Sequence, residues 1–263
     1  MSPYGGMSGA SIRTVREGRD RTAEFAPPRF LDAGEAALVV EFGRTVDPAL
    51  NDRVLDLDAA LSAALPEGVG ECVPTYRSLT IHYDPLRIDR SALVAVVEKA
   101  LRSGASRVRD AACWTLPCCY APEFGEDLAE AAEQIGVAPQ NIMQRHAAAN
   151  YRVYMYGFAP GFAYLGGLPV ELAVPRRPAP RAPHPAGAIM IGGGLCAVGT
   201  FSMPTGWYVL ARTPERLYAP ERAEPFLIRA GDGLRFEPVD AETFRALERR
   251  TASGEIVARR EAA

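Results

Sequence analysis

Between residues 151 and 181 the chain reads YRVYMYGFAPGFAYLGGLPVELAVPRRPAPR, and this stretch restricts the possible folds more than any other. Aromatics, glycines, prolines and arginines are mixed there without a helical or a clean strand period. Gly and Pro bury little and break regular elements, so an ordinary core element has no use for such a segment. Two Gly-bearing turns, at 159–161 and 165–167, are expected to fix backbone shape and permit close approach by another group. Arg176, Arg177 and Arg181 then follow within six positions. Shaped backbone followed by forked cations points to a site for something anionic.

The rest of the composition narrows the field. A length of 263 residues suits two domains, with one large β domain as the alternative. Hydrophobic residues make up 48%, enough for real cores, and no run approaches the roughly 20 apolar residues of a membrane span. With 29 basic against 32 acidic residues, a general nucleic-acid or membrane-surface binder is not expected. Lys99 is the only lysine and falls mid-helix, so lysine chemistry is not expected either. Five cysteines (Cys72, Cys113, Cys118, Cys119, Cys196) form an odd set without a CxxC pair or a signal peptide. That pattern fits reduced thiols in a cytoplasm rather than a disulfide framework or a zinc site.

Five segments are expected. Residues 1–28 are a disordered extension, 29–118 a ferredoxin-like domain, 119–150 a helical connector, 151–250 a β-barrel with a terminal helix, and 251–263 a frayed tail. In the first domain, strands are expected at 36–42, 68–75, 78–83 and 112–118. A helix opens at Asp47-Pro48, and a second follows Asp89 with Gly104 placed to end it. The resulting order, β-α-β-β-α-β, is the split βαβ arrangement and makes the chain α+β. In the connector, one helix at 126–135 closes at Gly136 and another opens at Pro139. Beyond residue 151, strands are expected at 151–156, 188–191, 207–212, 226–229 and 234–237, with a helix at 240–250.

No GxxxxGK[ST] loop, GxGxxG or GxSxG occurs, so no nucleotide site and no nucleophile elbow is expected in this chain. Gly192-Gly193-Gly194 reads as a barrel corner. Among the histidines, His82 reads as structural and His184 as surface-exposed, while His146 either caps its helix or faces the site. No His/Cys/carboxylate spacing reaches metal-site quality. A guanidinium fork matches a carboxylate or phosphate bidentately, so Arg176, Arg177 and Arg181 read as a small-anion site. A protein interface or a solvated loop stands beside that reading. Phe162 and Tyr164, among the aromatics of the segment, are candidates to line the pocket.

The run YRVYMYGFAPGFAYLGGLP, followed by PRR, PR, PAGAI, PTGW and ARTP, closely resembles the family of B-type subunits of bacterial ATP-dependent 5-oxoprolinase. That family also holds a sporulation-kinase inhibitor and the first of the allophanate hydrolase subunits, and its members carry the carboxyltransferase domain. The resemblance extends through DAGEAALVVEFG, VPTYRSLTIHYDP and FGEDLAEAAEQIGVAP, from about residue 30 to 238. It implies a ferredoxin-like domain followed by a cyclophilin-like β-barrel. It implies, too, two partners: a homologous C-type barrel protein and an A-type protein. ATP would then be used in the complex to open 5-oxoproline to glutamate, or a related amide or urea-type substrate, without being bound by this chain alone. The arginines would then hold the substrate carboxylate or a phosphorylated intermediate. A regulatory kinase-binding role and a carboxyltransferase component served by a separate biotin carrier are the alternatives. Where family members read AGGQTGIYP and then PGGW, this chain reads GGGLCAVGTFSMPTGW. Leu195 and Cys196 replace Gln and Thr, and Gly199-Thr200 replaces Tyr-Pro, so a different or less polar substrate is one expectation.

Overall fold

The structure is a computed structural model, and it describes residues 26–103 and 111–261. The expected N-terminal extension lies, up to residue 25, outside the described residues. The chain is a mixed α+β arrangement, mostly sheet with few helices. Strand β1 (Arg29–Asp32) runs into β2 (Ala37–Glu41), followed by α1 (Pro48–Ala63), β3 (Val69–Pro74), β4 (Ser78–Tyr83) and α2 (Arg90–Arg102). The first helix starts where its sequence says it should. Pro48 needs no N–H partner at that position, and the Asp47 carboxylate accepts the Ala49 and Leu50 N–H groups at 2.7 and 3.4 Å. Asp89 caps α2 in the same way, accepting from Ala92 N–H at 2.9 Å. Leu50, Val54, Leu57 and Leu61 of α1, with Leu93 and Val97 of α2, bury one helical stripe each against Leu38, Val40, Leu79 and Ile81 of the sheet.

That sheet has the order β1-β2-β4-β3 and is antiparallel throughout, which corrects the expected topology. The strand expected at 112–118 does not close it. The place beside β2 is filled by the strand just before it, β1, with Phe30 opposite Val40 and Leu31 opposite Val39. The Gly104 helix stop lies outside the described residues. Burial explains the exchange. Strand β5 (Cys113–Cys118), reading CWTLPC, is buried at nearly every position. A run apolar on both faces belongs inside a covered sheet, whereas the mostly exposed RFLD of β1 suits an edge.

After β5 come α3 (Leu128–Ile135), closed by the left-handed Gly136 at φ 79°, and α4 (Pro139–Ala148). Strands β6 (Tyr151–Gly157) and β7 (Ala159–Gly166), a short 3-10 turn (Val170–Leu172) and β8 (Arg181–His184) follow. The chain then forms β9 (Ala188–Gly192), β10 (Leu195–Val198), β11 (Met203–Thr205), β12 (Tyr208–Arg212), β13 (Gly233–Pro238), α5 (Ala241–Ala252) and β14 (Arg259–Glu261). The large sheet has the order β12-β9-β10-β7-β6-β13-β5-β14, and β8 pairs separately with β11. Strand β5 lies parallel to β13 and antiparallel to β14. Just past β5, Cys119 and Arg212 of β12 exchange both backbone hydrogen bonds, at 2.8 and 3.1 Å. The sheet therefore curls until strands from opposite ends of its order touch. Leu116, Val153, Leu165, Ile189, Ile191, Val198, Leu210 and Leu234 fill the inside. Asp232, nearly buried, ties β13 to β5 by accepting Ala112 N–H at 3.1 Å and Trp114 Nε1–H at 2.9 Å.

Three further expectations need correction. Residues 159–161 are not a turn but lie within β7. The reversal falls one step earlier, at Gly157-Phe158, and the β6–β7 register shifts beside it, so the ladder tolerates Pro160 and Gly161. Residues 226–229 form no strand. Phe226 makes only a single bridge, to Tyr218. The tail is not wholly frayed, because β14 covers the outer side of β5. The glycine triplet is the reversal between β9 and β10, with Gly193 and Gly194 at φ 61° and 77°, a two-residue turn that favours glycine at both places.

The two sheet units are joined through a buried amide. Asn51, on α1, donates from Nδ2 to Thr75 O at 3.1 Å and to Tyr154 O at 3.3 Å. Its Oδ1 accepts from Arg152 Nε and Nη2 at 3.2 and 3.1 Å, and Arg152 also reaches Asp52 at 2.6 Å.

Candidate active-site cleft

A cleft of about 370 Å³ opens on the large sheet, walled by the segment that first stands out in the sequence. Strand β7 presents Phe162 and Tyr164, whose rings lie tilted to one another at 5.0 Å, and Tyr164 meets Trp207 edge-on at 6.1 Å. Trp207 is held low because Gly192 has no side chain. A Cβ there would lie 3.1 Å from the indole. The Trp207 backbone N–H donates to Thr205 Oγ1 at 3.1 Å, and Thr205 lines the cleft. At the rim, Phe158 holds φ 69°, costly for a bulky residue by roughly 1–2 kcal/mol. It is 75% exposed, with its ring against Phe162 at 5.7 Å.

Arg176 supplies the charge. Its stem lies over Gly193, and its Cζ stands 5.3 Å from the face of Trp207. The preceding loop is pinned by Gly193 N–H donating to Val174 O at 2.8 Å. Arg176 is exposed and has no carboxylate within ion-pair distance among the described residues. Burial raises the Tyr164 phenol, and the Arg176 charge acts against that rise from across the cleft. A forked cation resting on an aromatic face beside a threonine is equipped to take a carboxylate.

Arg177 and Arg181 do not share that freedom. Arg177 donates two parallel hydrogen bonds to Glu130 at 2.6 Å each, stands 3.1 Å from Asp127, and stacks over Tyr208 at 4.3 Å. Arg181 donates to Asp127 Oδ2 at 2.7 Å and to Glu126. The Glu130 hydrogen bond raises the Arg177 pKa. Burial pulls Arg181 down, but the Glu126 and Asp127 carboxylates outweigh it. Arg177 lines the cleft with its forks already occupied. The expected three-arginine anion site therefore reduces to Arg176. The other two fasten the proline-rich loop to the start of α3, through carboxylates that lie some fifty residues earlier in the chain.

His146 is also not in the cleft. It is fully buried in the large core, with Nδ1 at 2.7 Å from Tyr120 Oη, Nε2 at 3.5 Å from Cys196 Sγ, and its ring stacked on Phe236 at 4.9 Å. Burial drives its pKa down to about 3. The native ring thus stays neutral where the unfolded one, near 6.5, takes a proton. This contribution to stability is complete above pH 6.5 and is lost as pH falls from there toward 3. The expected slope is about 1.4 kcal/mol per pH unit. Chemical unfolding measured from pH 7 to 4 should show the acid loss in the wild type and a shallower loss in His146→Phe. Equal slopes would contradict the assignment.

The positions that depart from the family pattern divide between the two environments. Cys196 faces His146 in the core, its thiol pushed far up by burial. Leu195 packs with the cleft aromatics, Gly199 lies against His184, and Thr200 Oγ1 donates to Pro160 O at 2.7 Å. His184, read from sequence as surface, is fully buried and borders the cleft. His184, Trp207 and Thr205 are the cleft residues that sequence reasoning does not single out. Trp207 was legible only through the PTGW motif. None of the five cysteines is paired. Among the described residues no three His, Cys, Asp or Glu side chains gather to hold a metal ion, and no helix is long and apolar enough to cross a membrane.

Known proteins share this layout. Residues 28–228 match the family described as carboxyltransferase domain, subdomain C and D. The B-type 5-oxoprolinase subunit of Bacillus subtilis (strain 168) is 32% identical over 224 residues, covering 81% of this chain and 93% of that protein. The solved structure of TTHA0988 is 34% identical with a TM-score of 0.69. The match covers 77% of this chain, which spans only 40% of that longer one. The Kluyveromyces lactis urea carboxylase is 16% identical and shares the fold, with a TM-score of 0.73 over 92% of this chain and 24% of its own. The match across three quarters of its length, with a relative above 30% identity, shows that this chain belongs to the carboxyltransferase subdomain C and D family, alongside the B-type subunits of 5-oxoprolinase.

Proposed function

We propose that the chain is the B-type subunit of an amide-opening hydrolase complex, and that its cleft holds a carboxylate-bearing lactam of the 5-oxoproline kind. The observation that carries this reading is Arg176, unpaired among the described residues and lying on Trp207 inside an aromatic cleft. Its fork takes the carboxylate, the Thr205 hydroxyl donates beside it, and Phe162 and Tyr164 cover the ring. ATP enters through an A-type partner, in keeping with the absence of a phosphate loop in this sequence. A C-type barrel partner completes the site opposite the aromatic wall, and the unpaired cysteines fit a cytoplasmic setting.

The test is co-expression with A- and C-type partners and assay of ATP hydrolysis on adding 5-oxoproline. The expected result is stimulated turnover that requires all three chains. Assembly that hydrolyses ATP only with another amide, or not at all, would overturn the substrate reading.

A further inference from the structure

We propose that Phe158 is a specificity-determining residue of the cleft, its ring packing over the apolar edge of a bound lactam. The inference rests on the functional reading above and deepens it. The first support is a conflict between residue and backbone. The β6–β7 reversal pairs Gly157 with Ala159, so Phe158 alone makes the corner, at φ 69°. Among the described residues it is the only one besides glycines with a positive φ. Local chemistry asks for glycine there, because a Cβ at such a φ crowds its own backbone.

The second support is that packing within the chain does not offset this cost. The ring meets Phe162 edge-on at 5.7 Å but Phe158 stays 75% exposed, so it gains little from burial. Strained residues of this kind cluster at ligand clamps and active sites.

The third support is position, for Phe158 borders the cleft and is open to it. Its ring begins an aromatic row: Phe158 to Phe162 at 5.7 Å, Phe162 to Tyr164 at 5.0 Å, and Tyr164 to Trp207 at 6.1 Å. Gly157 seats the corner on that row, since a Cβ there would lie 3.4 Å from Tyr164 Cε2. Arg176 rests on the far end, its Cζ 5.3 Å from the Trp207 face. The row thus carries a cation at one end and an exposed ring at the other. Phe162 and Trp207 are already buried, so Phe158 is where a ligand ring has most apolar surface left to cover. A lactam acid of the 5-oxoproline kind presents a carboxylate to Arg176 and two ring methylenes beyond it.

Two variants separate this role from packing within the fold. Phe158→Gly should match or exceed the wild-type urea midpoint. Phe158→Ala should fall below Phe158→Gly, because alanine keeps the strain that glycine relieves. Both should bind 5-oxoproline about 3- to 10-fold more weakly, as the loss of one ring contact implies. In proton NMR, the methylenes of bound 5-oxoproline should move upfield with wild type and less with Phe158→Leu, which keeps bulk without ring current. Binding is measured with the full chain and with the chain assembled with A- and C-type partners. Unchanged affinity in Phe158→Gly overturns the proposal, and so does alanine as stable as glycine. If Arg176→Ala still weakens binding in that case, the cleft reading survives and only the role of Phe158 falls. Weaker assembly with the C-type partner at unchanged ligand affinity also overturns it and assigns the ring to that interface. No binding of 5-oxoproline to wild type, alone or assembled, overturns both readings.

Discussion

Asp127→Ala is expected to destabilise the protein by about 3–5 kcal/mol, the largest effect of any single substitution considered. Its carboxylate is almost buried and has three tasks. It accepts the Val209 N–H at 2.9 Å and the Arg181 guanidinium at 2.7 Å, and it stands 3.1 Å from Arg177. The Asp127 N–H donates in return to Val209 O at 3.0 Å, so the residue stitches the start of α3 to β12. Alanine leaves a buried N–H without an acceptor and two half-buried guanidinium groups short of a partner, each loss costly where water cannot enter. Asp127→Asn retains an oxygen for Val209 and should lose less, about half. Urea unfolding measures both, and a loss below about 1 kcal/mol for the alanine variant would contradict this role. Because Arg177 and Arg181 anchor the loop that carries Arg176, the same substitution should weaken ligand binding even below its melting point.

Arg176→Ala should do the reverse, leaving stability within about 0.5 kcal/mol of wild type while damaging function. The side chain is exposed and rests on Trp207 and the glycine turn, so the fold loses little. A charge-assisted hydrogen-bond pair to a carboxylate contributes about 1.5–3 kcal/mol. In the assembled complex, KM for 5-oxoproline should therefore rise about 10- to 100-fold. Arg176→Lys should recover only part, because an ammonium lacks the planar fork. Arg177→Ala provides the contrast. It should lower stability first, since its forks hold Glu130 rather than ligand.

Local chemistry was readable in the sequence. Asp47-Pro48, Asp89, Gly136 and Asp240 mark helix ends by mechanisms that act within a few residues, and each is found at its helix terminus in the structure. Two failures are local, the turn placed at 159–161 and the strand at 226–229, and the rest are non-local. Whether 112–118 or 29–32 closes the first sheet depends on which strand must be covered on both sides, and strand pattern alone does not name the partner. Arg177 and Arg181 looked free because Glu126, Asp127 and Glu130 lie far earlier in the chain. His146, expected to cap its helix or face the site, and His184, expected at the surface, are both buried for the same reason. One helical histidine points into the core, while one in a proline-rich stretch is enclosed by Gly199 and Pro185. The cleft wall of Phe162 and Tyr164 was legible because its motif is long and contiguous.

The central claim is that Arg176 reads a ligand carboxylate in this cleft. Its most direct test is a two-by-two comparison of wild type and Arg176→Ala against 5-oxoproline and 2-pyrrolidone, the same lactam without the carboxylate, with affinity measured by calorimetry. The expected result is a preference of about 10- to 100-fold for 5-oxoproline in wild type that vanishes in the variant, with pyrrolidone binding unchanged between the two proteins. A preference that persists in Arg176→Ala would show that the carboxylate is read elsewhere.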